Sequence, residues 1–227
     1  ETSGFPLIKL GDPTIKITIS PNTSPLSGKE AKFTTARQLE QRLIREKKTN
    51  IGMDISLSSS GYGFEVAGRG ELHLSILLET LRREGYEMQV GRPKVILKKI
   101  GDDLQEPYEE VTIEVDKKFI GIVVEEIGLR KGTILHVKTT PKETNRFIFT
   151  ISNRNLMGLR GVLMTKTKGR GLFASRFIGY KEMSKNISKF RNGALVALEK
   201  GVSTSYALET AQNRGTAIIG PGEDVYE

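Results

Sequence analysis

Two hydrophobic periods take turns along this chain, and they do so twice in the same order. Thr14 to Ile19 (TIKITI) alternates β-branched and polar residues, which reads as a strand. A loop marked by Pro21, Asn22, Pro25, Ser27 and Gly28 follows. Ala36, Leu39 and Leu43 then recur at helical spacing, with Ile44 beside them. Thr35 and Gln38 have the spacing of a capping box, in which the hydroxyl accepts an orphan helix N–H and the amide reaches back. Ile51–Leu57 and Tyr62–Val66 read as strands around a Ser-Gly turn. From Gly70 a second helix puts Leu74, Leu77, Leu78 and Leu81 on one face. Gly85 suits its C-terminal end, where a left-handed residue is needed. Tyr86–Val90 closes the unit as a strand.

The order βαββαβ is that of a split, ferredoxin-like sandwich, and it returns. Glu109–Val115 is a strand. Ile120, Val123, Val124 and Ile127 are β-branched, yet their spacing favours a helix ended by Gly128. Thr133–Thr139 and Arg146–Ile151 are strands. Leu156, Leu159 and Leu163 mark a helix weakened by Gly158 and Gly161, and Gly171–Tyr180 is the last strand. The expected fold class is therefore α+β: two tandem ferredoxin-like βαββαβ sandwiches, then the start of a mostly β C-terminal domain. The boundaries read as a tail of a preceding domain at 1–12, one module at 13–92, an acidic, Pro-marked linker at 93–106, a second module at 107–180 and a partial domain at 181–227. In that last stretch Ala194–Leu198, Thr204–Leu208 and Thr216–Ile219 look like short β segments. Tyr62, Phe64 and Phe177 read as core.

The chain has 227 residues, a net charge of +8 and no cysteine. Without Cys there is no disulfide frame, thiolate metal site or Cys nucleophile. His73 and His136 stand too far apart to suggest a zinc site. No apolar run approaches the roughly 18 residues that span a bilayer. The charge is concentrated: Asn153–Arg191 carries ten basic residues against the single acid Glu182. Such one-sidedness points to an RNA or phosphate surface. There is no phosphate loop with the G-x-x-x-x-G-K-[ST] spacing, no nucleophile elbow and no H-E-x-x-H. Glu125 and Glu126 read as the solvated face of a helix. No catalytic site is legible, and no cofactor or metal is expected within these residues.

The segment Gly68-Arg69-Gly70-Glu71-Leu72-His73-Leu74 makes a tight strand-to-helix turn, with Glu71 complementing the helix N-terminus and His73 packed or capping. This GRGELHL run, Arg82-Arg83-Glu84-Gly85-Tyr86-Glu87 and Val90-Gly91-Arg92-Pro93-Lys94-Val95 together resemble the third domain of translational GTPases. Asn22-Thr23-Ser24-Pro25, Gln105-Glu106-Pro107-Tyr108-Glu109 and Gly128-x-Arg130-Lys131-Gly132 extend the likeness, which is closest in wording to the BipA (TypA) family. The short joint between the modules cannot hold the extra domain that elongation factor G carries there. The resemblance implies a fragment: third and fifth domains and the beginning of a C-terminal domain, with the GTP- and Mg-binding domain outside it. It further implies a cytoplasmic, monomeric factor that meets the ribosome at the rRNA of the factor-binding centre and A site, acting in ribosome assembly and in stress- or cold-adapted translation.

The residues that would carry RNA contact are Arg130, Lys131, Arg154, Arg160, Lys166, Lys168, Arg170, Arg176 and Lys181. Lys166, Lys168 and Arg170 sit around glycines, where a folded RNA is read by shape. Arg130 and Lys131 follow a helix, where cations also complement its dipole. Arg154 and Arg160 lie six apart, so one of them can be structural. Two alternatives remain open at this stage: a LepA-like elongation-factor fragment, and a tandem ferredoxin-like module that senses a small molecule. An acylphosphatase-like enzyme is disfavoured, because the Ser20–Gly28 loop has no arginine.

Overall fold

A computed structural model describes residues 11–29, 31–59, 61–139, 144–183 and 195–226. In the first module β1 (Ile15–Pro21), α1 (Ala36–Thr49), β2 (Asp54–Leu57), β3 (Phe64–Gly68), α2 (Glu71–Glu84) and β4 (Met88–Val90) follow in the expected order. The sheet runs β2-β3-β1-β4, with β1 antiparallel to both neighbours. Alternation along β1 turns Ile15, Ile17 and Ile19 to the helices, where they meet Leu39 and Leu43 of α1 and Leu74, Leu77 and Leu81 of α2. The capping box forms: Gln38 N–H donates to Thr35 Oγ1, and Thr35 N–H donates to Gln38 Oε1. Gly85 ends α2 at φ 93°, a conformation that costs an L-residue about 1 kcal/mol or more. Of the aromatic residues expected inside, only Phe64 is buried. Tyr62 is half exposed in the β2–β3 turn, and Phe177 is 38% exposed.

The joint at 93–106 is not a free linker. Its residues form β5 (Lys94–Val95), which pairs with β1, and β6 (Lys98–Ile100), which makes a hairpin with β7 (Asp103–Asp116). Gly101-Asp102 is a two-residue hairpin loop, a signal the Pro-and-acid reading passed over. Pro107 does not break β7, because it falls where neither the β6 nor the β9 ladder reaches and its missing N–H leaves no partner waiting.

The second module adds α3 (Ile120–Leu129) after a 3₁₀ turn at Lys117–Phe119, then β8 (Thr133–Thr139), β9 (Thr144–Ser152), α4 (Asn153–Leu156), α5 (Leu159–Lys166) and β10 (Gly171–Glu182). Its sheet runs β10-β7-β9-β8, the same topology as the first. Val111, Ile113 and Val115 of β7 and Phe147, Phe149 and Ile151 of β9 pack on Val123, Ile127, Leu159 and Leu163 of the helices. The expected helix over Leu156–Leu163 is broken in two. Met157 is extended (ψ 128°) and Gly158 takes φ 74°, so α5 restarts in a new direction. Met157 leaves its own module and packs against the first module's core.

Residues 184–227 form a separate compact unit. Within it β11 (Gly201–Val202) pairs with β12 (Asp224–Val225). Thr204–Leu208, expected as a strand, is instead an N-cap and the first turns of α6 (Ser205–Gln212), with Ala207 N–H donating to Thr204 Oγ1. The side-chain cap outcompetes the β propensity of Tyr206, which is 81% exposed. Residues 195–198 and 216–219 carry no strand, and Ala194 lies outside the described residues. So do residues 1–10 of the expected tail, and Lys185, Lys189 and Arg191 of the basic stretch. Replacing Thr35 by Ala should lower stability by about 1 kcal/mol, read as a shift in the urea midpoint at unchanged slope.

Candidate nucleic-acid interface

Where the two modules meet, the buried side chains are polar. Asn153 opens α4 at 1% exposure, and its amide donates to Thr14 Oγ1 (3.0 Å) of the first module and to Glu109 Oε1 (2.6 Å) of β7. The Thr14 hydroxyl donates in turn to the Arg69 carbonyl at 2.9 Å. Nearby Arg154 holds the fully buried Glu106 with two hydrogen bonds of 3.0 Å. Glu71, at the N-terminus of α2, accepts the Gly158 N–H at 3.1 Å. Burial pushes the Glu109 carboxyl above its ordinary value, against the lowering effect of a hydrogen bond from Ser175. His73 belongs to the same corner. Arg69 N–H donates to its Nδ1, and its Nε2 lies 2.9 Å from Nδ2 and 3.2 Å from Oδ1 of the Asn50 side chain. Burial, then the Arg69 charge, push its pKa below that of a free imidazole, so it is a neutral structural histidine.

The nine expected RNA-contacting residues divide sharply. Arg130 donates through Nη1 to the carbonyls of Asn155 and Met157, which the break between α4 and α5 frees, and its Nε lies 3.5 Å from Glu126. Arg154 is bound to Glu106. Lys166 is paired with Glu126, which raises its pKa. Glu126, expected on a solvated face, is 6% exposed and serves two cations, Arg130 just past the end of α3 and Lys166 of α5. Arg176 lies on the open face of the sheet, 2.8 Å from Glu110. These four are engaged by carboxylates. Lys181 places its ammonium over the Tyr108 ring, 5.2 Å from the centroid. Arg160, Lys168 and Arg170 are exposed and have no carboxylate partner among the described residues.

Two of the nine have an unusual backbone. Lys131 (φ 56°) and Lys168 (φ 54°) are the described non-glycine residues with positive φ, and each ends a helix just before a glycine. β8 begins on the β7 row of Glu110 and β10 on the row of Val115, so the two turns stand at opposite ends of the sheet. The nine cations therefore do not make one continuous patch. The turn Lys168-Gly169-Arg170 is the densest exposed group among them.

Comparison with known proteins adds the lineage. Residues 103–190 match the family model described as the elongation factor G C-terminus, and residues 192–227 match the TypA/BipA C-terminal domain. A protein of Synechocystis sp. named "Large ribosomal subunit assembly factor BipA" is 40% identical over 227 residues, all of this chain and 38% of its own length. The chain belongs to the BipA (TypA) family. The Bacillus subtilis BipA is 38% identical over 98% of the chain, and the chloroplastic TypA-like protein SVR3 of Arabidopsis thaliana 44% over the same share. The chain spans 33–38% of the length of these relatives. Its fold is shared by a crystal structure of a protein from Thermus thermophilus, with a TM-score of 0.51 at 14% identity over 79% of this chain and 42% of that one. Among the described residues no helix is long and apolar enough to cross a membrane, and no group of His, Cys, Asp and Glu could hold a metal ion.

All nine cations lie inside the segment that matches elongation factor G. Sequence reasoning missed the residues that hold this corner of the BipA-family fold together: Asn153, Glu106, Glu109 and Glu126. Glu109 was detectable, since it shares the period-two face of Val111, Ile113 and Val115. Three outcomes test the division. Arg154→Met should cost about 3 kcal/mol, because it strands a buried carboxylate. Lys168→Gly should instead stabilise the fold by up to about 1 kcal/mol, by relieving its positive φ. Both are measured by urea unfolding. Glu109 has a folded pKa above its unfolded value, so its stabilising contribution is present at low pH and is lost as pH rises from about 4.3 towards the folded value. Glu109→Gln should therefore be at least as stable as the native chain at pH 7 and show a flatter pH profile between about 4.5 and 7.

Proposed function

We propose that this chain is a ribosome- and rRNA-binding part of a BipA-type translational GTPase that acts in large-subunit assembly and in stress- or cold-adapted translation. The observation that carries the reading is the exposed Lys168-Gly169-Arg170 turn, strained at Lys168, in a segment whose relatives are named for assembling the large ribosomal subunit. The turn is closed as a helix C-cap by Lys168 N–H on the Thr165 carbonyl and Gly169 N–H on the Met164 carbonyl, which holds the two side chains in place. Two cations on a rigid turn suit a phosphate ridge of folded RNA better than a base edge. Lys131 and Lys181 are further contacts on this reading, and Arg160 a peripheral one. Arg130, Arg154, Lys166 and Arg176 support the surface through their carboxylates and touch RNA only secondarily.

Chemistry on GTP belongs to a nucleotide- and Mg-binding domain beyond these residues, and this part of the protein positions that domain on the ribosome. The compartment is one that holds ribosomes, the cytoplasm in bacteria. The BipA-type match at 192–227 favours this reading over a LepA-like factor. Co-sedimentation with large ribosomal subunits over a salt series tests it. The native chain should bind with an affinity that falls steeply with salt. Lys168→Glu with Arg170→Glu should weaken binding and flatten the log–log slope by between about 1 and 2, at roughly 0.7–0.9 per phosphate contact. Equal binding and equal slope for the two proteins would overturn the assignment of RNA contact to this turn.

A further inference from the structure

Between the two modules lies a cleft of about 1010 Å³. It is at the upper end of the range for small-molecule sites. One wall is α2, which presents Leu72 and Ile76, one turn apart and 56% and 58% exposed. The other wall comes from the second module: Met157 and Met164 around the broken helix, and Phe173 and Phe177 on β10. These walls are mostly apolar, and thioethers adapt to varied apolar shapes. The cleft is also preformed. Asn153 ties its floor to both modules, and the Gly158 N–H fixes Glu71 at its side.

Its charges are unequally committed. Glu71 and Glu109, the two acids that line it, already accept hydrogen bonds from Gly158 and Asn153. Arg69 and Arg160, the two arginines that line it, are exposed and make no ion pair among the described residues. What the cleft leaves unsatisfied is an apolar surface beside positive charge.

We propose that this inter-module cleft binds a small organic anion: one acidic group held at Arg160, with an aromatic or aliphatic body lying between Ile76 and Met164. The site does not include the Lys168–Arg170 turn, and Arg160, a peripheral RNA contact on the reading above, is the residue the two share. An aromatic acid and a fatty-acid anion share this chemistry, and the probes separate them.

The test uses the full chain with 8-anilinonaphthalene-1-sulfonate, decanoate and decanol. The aromatic sulfonate should bind one-to-one with enhanced fluorescence, and decanoate should displace it at lower concentration than decanol. Relative potency of an aryl carboxylate against decanoate then distinguishes an aromatic from an aliphatic natural ligand. Gly161 lines the cleft with open space where a side chain would begin, so Gly161→Phe should fill it and abolish one-to-one binding. Ile76→Glu, at an exposed position, is a second variant that should repel the anion if the first fails to fold. Arg160→Gln should weaken sulfonate and decanoate about tenfold, the loss of one charge-assisted contact, and leave decanol unchanged. Fluorescence unaffected by the plugged variants would place the dye elsewhere and overturn the site. Equal displacement by decanol and decanoate would overturn the anion assignment.

Discussion

The side-chain amide of Asn153 bridges the two modules, and most of what is distinctive in this structure follows from it. Two ferredoxin-like sandwiches in tandem each bury their own apolar face, and among the described residues only Met157 reaches from one core to the other. The orientation comes from polar groups that have left water. Asn153 donates to Thr14 and Glu109, and Thr14 donates to the Arg69 carbonyl. Asn153 itself is buried, so removing an acceptor would leave its amide unsatisfied, which costs more than the bond contributes. Such a network favours one arrangement over its neighbours. The broken helix then sends Met157 into the first module's core, and the cleft is the space that this fixed arrangement leaves open.

The same logic sorts the positive charge. A sequence count gives a strongly basic segment, and a count cannot distinguish a cation that neutralises RNA from one that neutralises the protein. Burial decides. Glu106 and Glu126 are taken out of water by packing and must be paired, and Arg154, Lys166 and Arg130 are drawn to them. The turns at Lys131 and Lys168 are different: each is the left-handed end of a helix, closed by the following glycine N–H on the Ile127 or Met164 carbonyl, and their positive φ serves that cap rather than a carboxylate.

Local signals in the sequence located most elements. Thr35 and Gln38 capped α1 as their spacing required, and the Val-rich run at 120–127 became a helix because Val123 and Ile127 had a sheet to cover. The misreadings share one cause, which is that partners distant in sequence override local preference. Pro107 and the acids around it read as a linker, yet β10 extends far enough to pair with them. Tyr206 favours a strand, but a local cap at Thr204 met no competing sheet. For the candidate surface, residue type and charge density were legible, whereas the identity of the carboxylate holding each cation was not. Arg154 finds Glu106 across 48 residues and Lys166 finds Glu126 across 40, separations that no window of sequence reveals.

The most direct measurement is a cryo-electron microscopy map of the chain bound to large ribosomal subunits, at a resolution that shows side chains. Lys168 and Arg170 should lie within hydrogen-bonding distance of rRNA phosphates, while Arg154 remains on Glu106 and Arg130 on the carbonyls of the broken helix. A map in which Arg154 or Arg130 has left its partner for RNA, with the Lys168 turn facing solvent, would contradict the division of charge described above.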